Sequence, residues 1–146
     1  MSHGVELLDA VKLLLQLRTD AGLQALFPAS TVVMYTDFVP REPPAVYIVI
    51  SLVQDRDTNT IGVNRVMNSP TFHIEVIGRE VGYDVLRPIS EYIDHKITAY
   101  SFAQQVGNTW VGQFMRQNVI MHADNLDNVR WYCLGGIYDT RVFTTQ

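Results

Sequence analysis

Apolar residues recur along the chain in two different rhythms, and the change from one to the other marks the elements. From Val5 to Arg18, Leu7, Leu8, Val11, Leu14 and Leu15 fall three and four positions apart, which predicts a helix. Leu13 and Leu17 widen that stripe, so the helix is expected to be covered on more than one side. Thr19 or Asp20 is placed to cap a short second turn over Ala21–Phe27, which Pro28 stops. Thr31–Thr36 is short, β-branched and strand-like. Three prolines in the segment from Asp37 to Pro44 impose an extended approach to the next element.

That element, Ala45–Val53, alternates with a period of two. Val46, Ile48, Ile50 and Leu52 share one face; Tyr47, Val49, Ser51 and Val53 share the other. Both faces are largely apolar, so the strand is expected to be covered on both, by its own chain or by a neighbouring subunit. Gln54–Asn64 is polar and reads as a long exposed hairpin connection, with Arg65-Val66-Met67 opening the return. Beyond Pro70, Thr71–Arg79 forms a strand with Phe72, Ile74 and Val76 on one side and His73, Glu75 and Ile77 on the other. Tyr83–Tyr100 carries Leu86, Ile89, Ile93 and Ile97 at helical spacing. Pro88 inside it predicts a start near Leu86-Arg87 or a kink. Two further strands are expected over Trp110–Met121, broken by Gly112, and over Val129–Thr144, with His122–Asn128 as a turn-rich linker. The Gly135-Gly136 pair marks a bulge or a close backbone approach. This order predicts an α+β fold: one domain over residues 1–146, with a twisted, mainly antiparallel sheet and two main helices on one face.

Composition changes this picture in one respect. The 146 residues are 47% hydrophobic but only 18% charged, against about 25% charged in an average soluble domain. A chain of this size buries roughly 68–70% of its unfolded surface, enough for a core without staples. The net charge of −4 argues against a nucleic-acid wrapper, which carries a basic footprint. The N-terminus lacks the basic region of a signal peptide, and Glu6, Asp9, Lys12 and Arg18 interrupt the leucine run. No membrane span is expected, and assembly in a cytoplasm is.

Candidate chemistry is sparse. Cys133 has no partner for an internal disulfide, and its apolar strand suits a small core residue better than a nucleophile. Gly78-Arg79-Glu80-Val81-Gly82 lacks the lysine and spacing of a phosphate loop. His73 and Glu75 share a strand face, but two donors from one strand make no metal site. Catalytic, cofactor and metal residues are therefore none. A small enzyme or ligand-binding domain would have to use a pocket near His73, Glu75 and Tyr132. A nucleic-acid adaptor would have to use Trp110, Arg116, Arg130 and Trp131.

Several features combine into a resemblance: the leucine-rich helix and Leu26-Phe27-Pro28, Pro40–Pro44 leading into Ala45–Val53, then Phe72-His73-Ile74-Glu75-Val76-Ile77-Gly78-Arg79 before an amphipathic helix. Terminal strands and an acidic-Asn linker complete the order. From Val5 to about Phe143 the chain resembles the tail terminator proteins of long-tailed bacteriophages, also termed tail-completion or tail-to-head joining proteins. The resemblance implies a non-enzymatic virion protein. Its subunits would form a ring, commonly hexameric, that caps the tail tube, ends tube polymerisation and joins the head-completion (stopper) protein, with DNA passing through the lumen. Another head–tail connector, neck or tail component with a similar subunit is the alternative. The polar loop then becomes the candidate inter-subunit or tube contact, through Asp55, Arg56, Asp57, Asn59, Asn64 and Arg65.

Overall fold

The N-terminal leucines do what their spacing requires. A computed structural model of the chain describes residues 10–36, 38–54, 57–59, 66–106 and 109–144. Residues 10–15 are the described part of helix α1, which tightens into a 3-10 turn over Gln16–Thr19. Ala10, Leu13, Leu14 and Leu17 are all buried; Leu7 and Leu8 lie outside the described residues. Asp20, rather than Thr19, caps the second helix, α2 (Ala21–Leu26): its Oδ1 accepts the Leu23 amide at 3.0 Å.

The same carboxylate also holds the long helix α3 (Tyr83–Thr98). The Tyr92 hydroxyl donates to Oδ1 at 2.5 Å, and Lys96 Nζ lies 3.2 Å from Oδ2. These donors favour the ionised form. The Tyr92 bond, foremost, holds the Asp20 pKa below the usual aspartate value, with the Leu23 amide and Lys96 adding to it against an opposing effect of burial. A depressed folded-state pKa contributes stability above the unfolded-state value of about 3.9, and that stability is lost as pH falls through the folded-state pKa. Asp20→Ala is therefore expected to lower stability by about 1 kcal/mol at pH 7. The gap between variant and wild type should close in urea titrations run below the ordinary aspartate range. A gap that stays constant down to pH 2 would remove the carboxylate from the account.

Helix α3 starts at Tyr83, not near Leu86-Arg87, and continues through Pro88. Pro88 lies on the exposed side, and the amide it lacks would have served the carbonyl of exposed Asp84. An acceptor on the exposed side can be solvated, so the ring is tolerated there. Leu86, Ile89, Ile93 and Ile97 are buried, as their spacing predicts.

Two five-stranded sheets form among the described residues. The larger has the order β1 (Met34–Thr36), β2 (Val46–Gln54), β5 (Thr71–Arg79), β9 (Val129–Asp139) and β8 (Met115–Leu126). Its pairs are antiparallel except β1–β2. The fold is thus α+β, with a mainly antiparallel sheet and helices on one face. The smaller sheet is not apparent in the sequence pattern. It has the order β3 (Asp57–Asn59), β4 (Val66–Asn68), β10 (Val142–Thr144), β7 (Thr109–Val111) and β6 (Gln104–Val106). Each of these strands has three residues, too few to display a period.

The chain passes between the sheets at Pro70, Gly112 and Thr140. Thr140 stitches that crossing. Its amide donates to the Pro70 carbonyl at 3.2 Å, and its buried hydroxyl donates to the Gly112 carbonyl at 3.0 Å.

The expected linker His122–Asn128 is mostly strand. Strand β8 runs to Leu126, and the turn is only Asp127-Asn128, with φ of 52° and 64°. Two successive left-handed residues form the tight hairpin whose twist matches its strands, and Asp and Asn tolerate that geometry. The expected Val129–Thr144 strand is likewise divided between β9 and β10. Gly135-Gly136 is a close approach rather than a bulge; the irregularity sits opposite, on β8 between Arg116 and Asn118.

Candidate functional site

Cross-strand register assigns every residue of the larger sheet to one of two faces. On the helix side lie the rows Ile48–Val76–Leu134–Met121, Ile50–Ile74–Gly136–Val119 and Leu52–Phe72–Tyr138–Arg116. Helix α3 packs across β5, β9 and β8 there, and Ile48, Ile50, Phe72, Ile74, Val76 and Tyr138 are buried. On the other side lie Tyr47–Ile77–Cys133–His122, Val49–Glu75–Gly135–Ile120 and Ser51–His73–Ile137–Asn118. No described helix packs there, and His73, Glu75, Ile77, Cys133 and Ile137 are only half-buried. Among the described residues, β2 is therefore buried mainly on its helix side; on the other face Tyr47 is buried, but Val49 and Ser51 are only half-buried, although the sequence is apolar on both.

This more open face carries little reactive chemistry. His73 Nδ1 and Glu75 Oε1 stand 3.7 Å apart. No cluster of three or more metal-ligating side chains occurs among the described residues. Tyr132 does not join them: it pairs with Gly78 on the helix side, and its ring meets Tyr83 edge-on at 5.0 Å. The pocket expected from His73, Glu75 and Tyr132 is not assembled, because the period of two sends Tyr132 to the opposite face. A shallow depression of about 410 Å³ instead adjoins Tyr47, Ile77, Trp131 and Cys133. Burial, with Glu75 and Asp124 nearby, pushes the Cys133 thiol up to about 11. It stays a protonated thiol at neutral pH, half-buried on the open face rather than in the core.

The four residues considered for nucleic acid are also separated. Trp110 packs against Phe143 in the smaller sheet at 6.5 Å, and Arg116 faces Asp94 on the helix side at 3.6 Å. Arg130 lies over the Tyr132 ring, while Trp131 borders the open depression.

Of the polar loop, only Gln54 and Asp57–Asn59 are described. Asp57 and Asn59 lie on β3, opposite Asn68 and Val66 of β4, and β3 is an outer strand of that sheet. Asp55, Arg56, Asn64 and Arg65 lie outside the described residues.

Strand β8 is a surface that the sequence pattern did not single out. It is the outer strand of the larger sheet, twelve residues long. Met115, Val119, Met121 and Leu126 are each about 60% exposed (59–62%). Edge strands are normally blunted by lysine, proline or inward charge. Here Arg116 and Asp124 are the only charges in the strand, and one bulge interrupts it. The unbroken run from Gln117 to Ala123, without glycine, proline or charge, was the signal available in the sequence.

No protein-family model matches the chain, and no curated protein matches it. Solved structures do match in fold. One chain of a virion of a native gene transfer agent particle superposes with a TM-score of 0.60 at 21% identity, covering 90% of this chain and 91% of that one. A second solved chain, with no functional description, superposes with a TM-score of 0.53 at 15% identity, covering 91% and 94%. At these identities the likeness concerns the fold.

Proposed function

We propose that this chain is a non-catalytic virion subunit of the tail-terminator type. Copies form a closed ring, hexameric as is common for that type, on the last ring of a tail tube. The ring ends tube polymerisation, presents a surface to a head-completion protein and lets DNA pass through its lumen. The observation that carries the reading is the larger sheet: among the described residues, one face is for the most part only half-buried, and the twelve-residue strand β8 ends the sheet with large apolar side chains exposed. An apolar surplus on such surfaces is what a subunit needs when neighbours supply the cover. The fold likeness to a chain of a gene transfer agent virion supports the same reading. So does the net charge of −4, which disfavours adhesion to phosphates sliding past. The hairpin around Asp57 and Asn59, with Asp55, Arg56, Asn64 and Arg65, is proposed to touch the tube or the adjacent subunit.

Light scattering and electron microscopy of the purified chain mixed with growing tail tubes test this. The expected result is a closed oligomer at tube ends and tubes that stop lengthening. A chain that stays monomeric beside tubes that keep growing would overturn the proposal. Binding to a neck protein but not to tubes would move the subunit one position along the joint.

A further inference from the structure

The larger sheet has apolar surface at both of its edges, and the two edges differ. At the β8 edge, Met115, Val119 and Met121 are 61%, 59% and 61% exposed. At the β1–β2 edge, Phe38, Leu52 and Val53 are 76%, 39% and 53% exposed. With Leu126 at the far end of β8, seven of the ten exposed large apolar side chains among the described residues thus stand at opposite margins of one sheet. Resting on the ring reading above, we propose that these margins are the two halves of a single subunit contact: the β8 margin of one copy packs on the β1–β2 margin of the next.

Three observations select a second copy as the occupant. A ring needs a head-to-tail contact, built from two different surfaces on opposite sides of the subunit, whereas one self-complementary patch makes only a two-fold pair. The strand order β1-β2-β5-β9-β8 places two such surfaces as far apart as the sheet allows. The margins are also level. Leu52 and Arg116 are the two ends of one cross-strand row, so Met115 stands at the same end of the sheet as Phe38 and Val53. A rotation about an axis running along the strands brings those ends together without a shift along it.

The two margins contribute differently. Two β1 acceptors are already used: Arg18 Nη2 donates to the Met34 carbonyl at 2.7 Å, and the Phe38 amide donates to the Thr36 carbonyl at 2.6 Å. The joint is therefore made by side chains rather than by a continuous ladder. Val119 and Met121 on one copy and Leu52 on the other lie on the helix side of their sheets, where they close a common apolar seam.

Two double variants test the contact, Met115→Asp with Val119→Asp, and Phe38→Asp with Val53→Asp. All four side chains are more than half exposed, so folding should survive, which circular dichroism checks. Each variant alone is expected to scatter as one chain of 16.6 kDa under conditions where the wild type is a closed oligomer. An equimolar mixture should give dimers and nothing larger, because each mixed pair retains one intact contact. If either variant keeps the full oligomer, the contact lies elsewhere and the ring reading stands. For a wild type that assembles only on tubes, Met115→Cys with Phe38→Cys should cross-link copies on capped tubes; capped tubes without that cross-link would overturn the contact alone. Tubes that are never capped would overturn the ring reading, and this contact with it.

Discussion

Phe114→Ala is expected to lower stability by about 4 kcal/mol, read from urea denaturation at pH 7. Phe114 is fully buried where the chain leaves β7 for β8. Its ring centroid lies 6.1 Å from that of Phe72 on β5 and 6.0 Å from that of Phe102 beyond α3. Its amide also donates to the Ile97 carbonyl near the end of α3, at 3.3 Å. The side chain therefore joins the smaller sheet to the core under the larger one, together with buried Val111 and Val142. Truncation removes the apolar transfer term and leaves a cavity walled by rings that cannot close on it. Amide exchange should accelerate first in β7 and β10, the strands this ring anchors. A loss under about 1 kcal/mol would mean that the smaller sheet is held by its hydrogen bonds instead.

The second large effect is expected at Gly135. A Cβ added there would stand 2.7 Å from Glu75 Cα and 2.9 Å from the Ile74 carbonyl carbon. Both are backbone atoms of the adjacent strand, so no side-chain rotation makes room. Gly135→Val must push β5 and β9 apart in the middle of the sheet and is expected to cost about 3 kcal/mol or more. Even Gly135→Ala should cost more than Gly112→Ala, whose Cβ would meet its nearest atom, the Arg141 carbonyl oxygen, at 3.2 Å. Thermal denaturation of the two alanine variants side by side gives the comparison. Equal midpoints would show that the strands separate easily at this row.

Both sites bear on how much the residues alone disclose. Periodicity over Thr71–Arg79 and over Leu86, Ile89, Ile93 and Ile97 identifies a strand and a helix with their buried faces, because many consecutive positions repeat the same preference. The three-residue strands of the smaller sheet offer no such repetition, and their pairing partners are distant in the chain, as Val142 and Asn68 are. Pro70 and Gly112 read as breaks, yet they are passages from one sheet to the other. His122–Leu126 reads as linker because its residues favour turns, and pairing with Val129–Cys133 overrides that preference.

The candidate surface divides along the same line. The apolar residues on both faces of Ala45–Val53 already point to cover on both, by the chain itself or by a neighbouring subunit. That β8 is an edge strand, that Tyr132 faces away from His73 and Glu75, and that Trp110 and Trp131 sit in different sheets all depend on register.

By itself the sequence determined which long periodic segments are helix or strand, which stripe of each is apolar, and that charge is scarce, since these are local or additive properties. The tertiary structure alone decided that the described strands divide between two sheets, which face stays more open and which strand ends the order. A strand's neighbours are chosen by hydrogen-bond partners and packing many residues away, and a register shift of one residue turns every side chain to the other face.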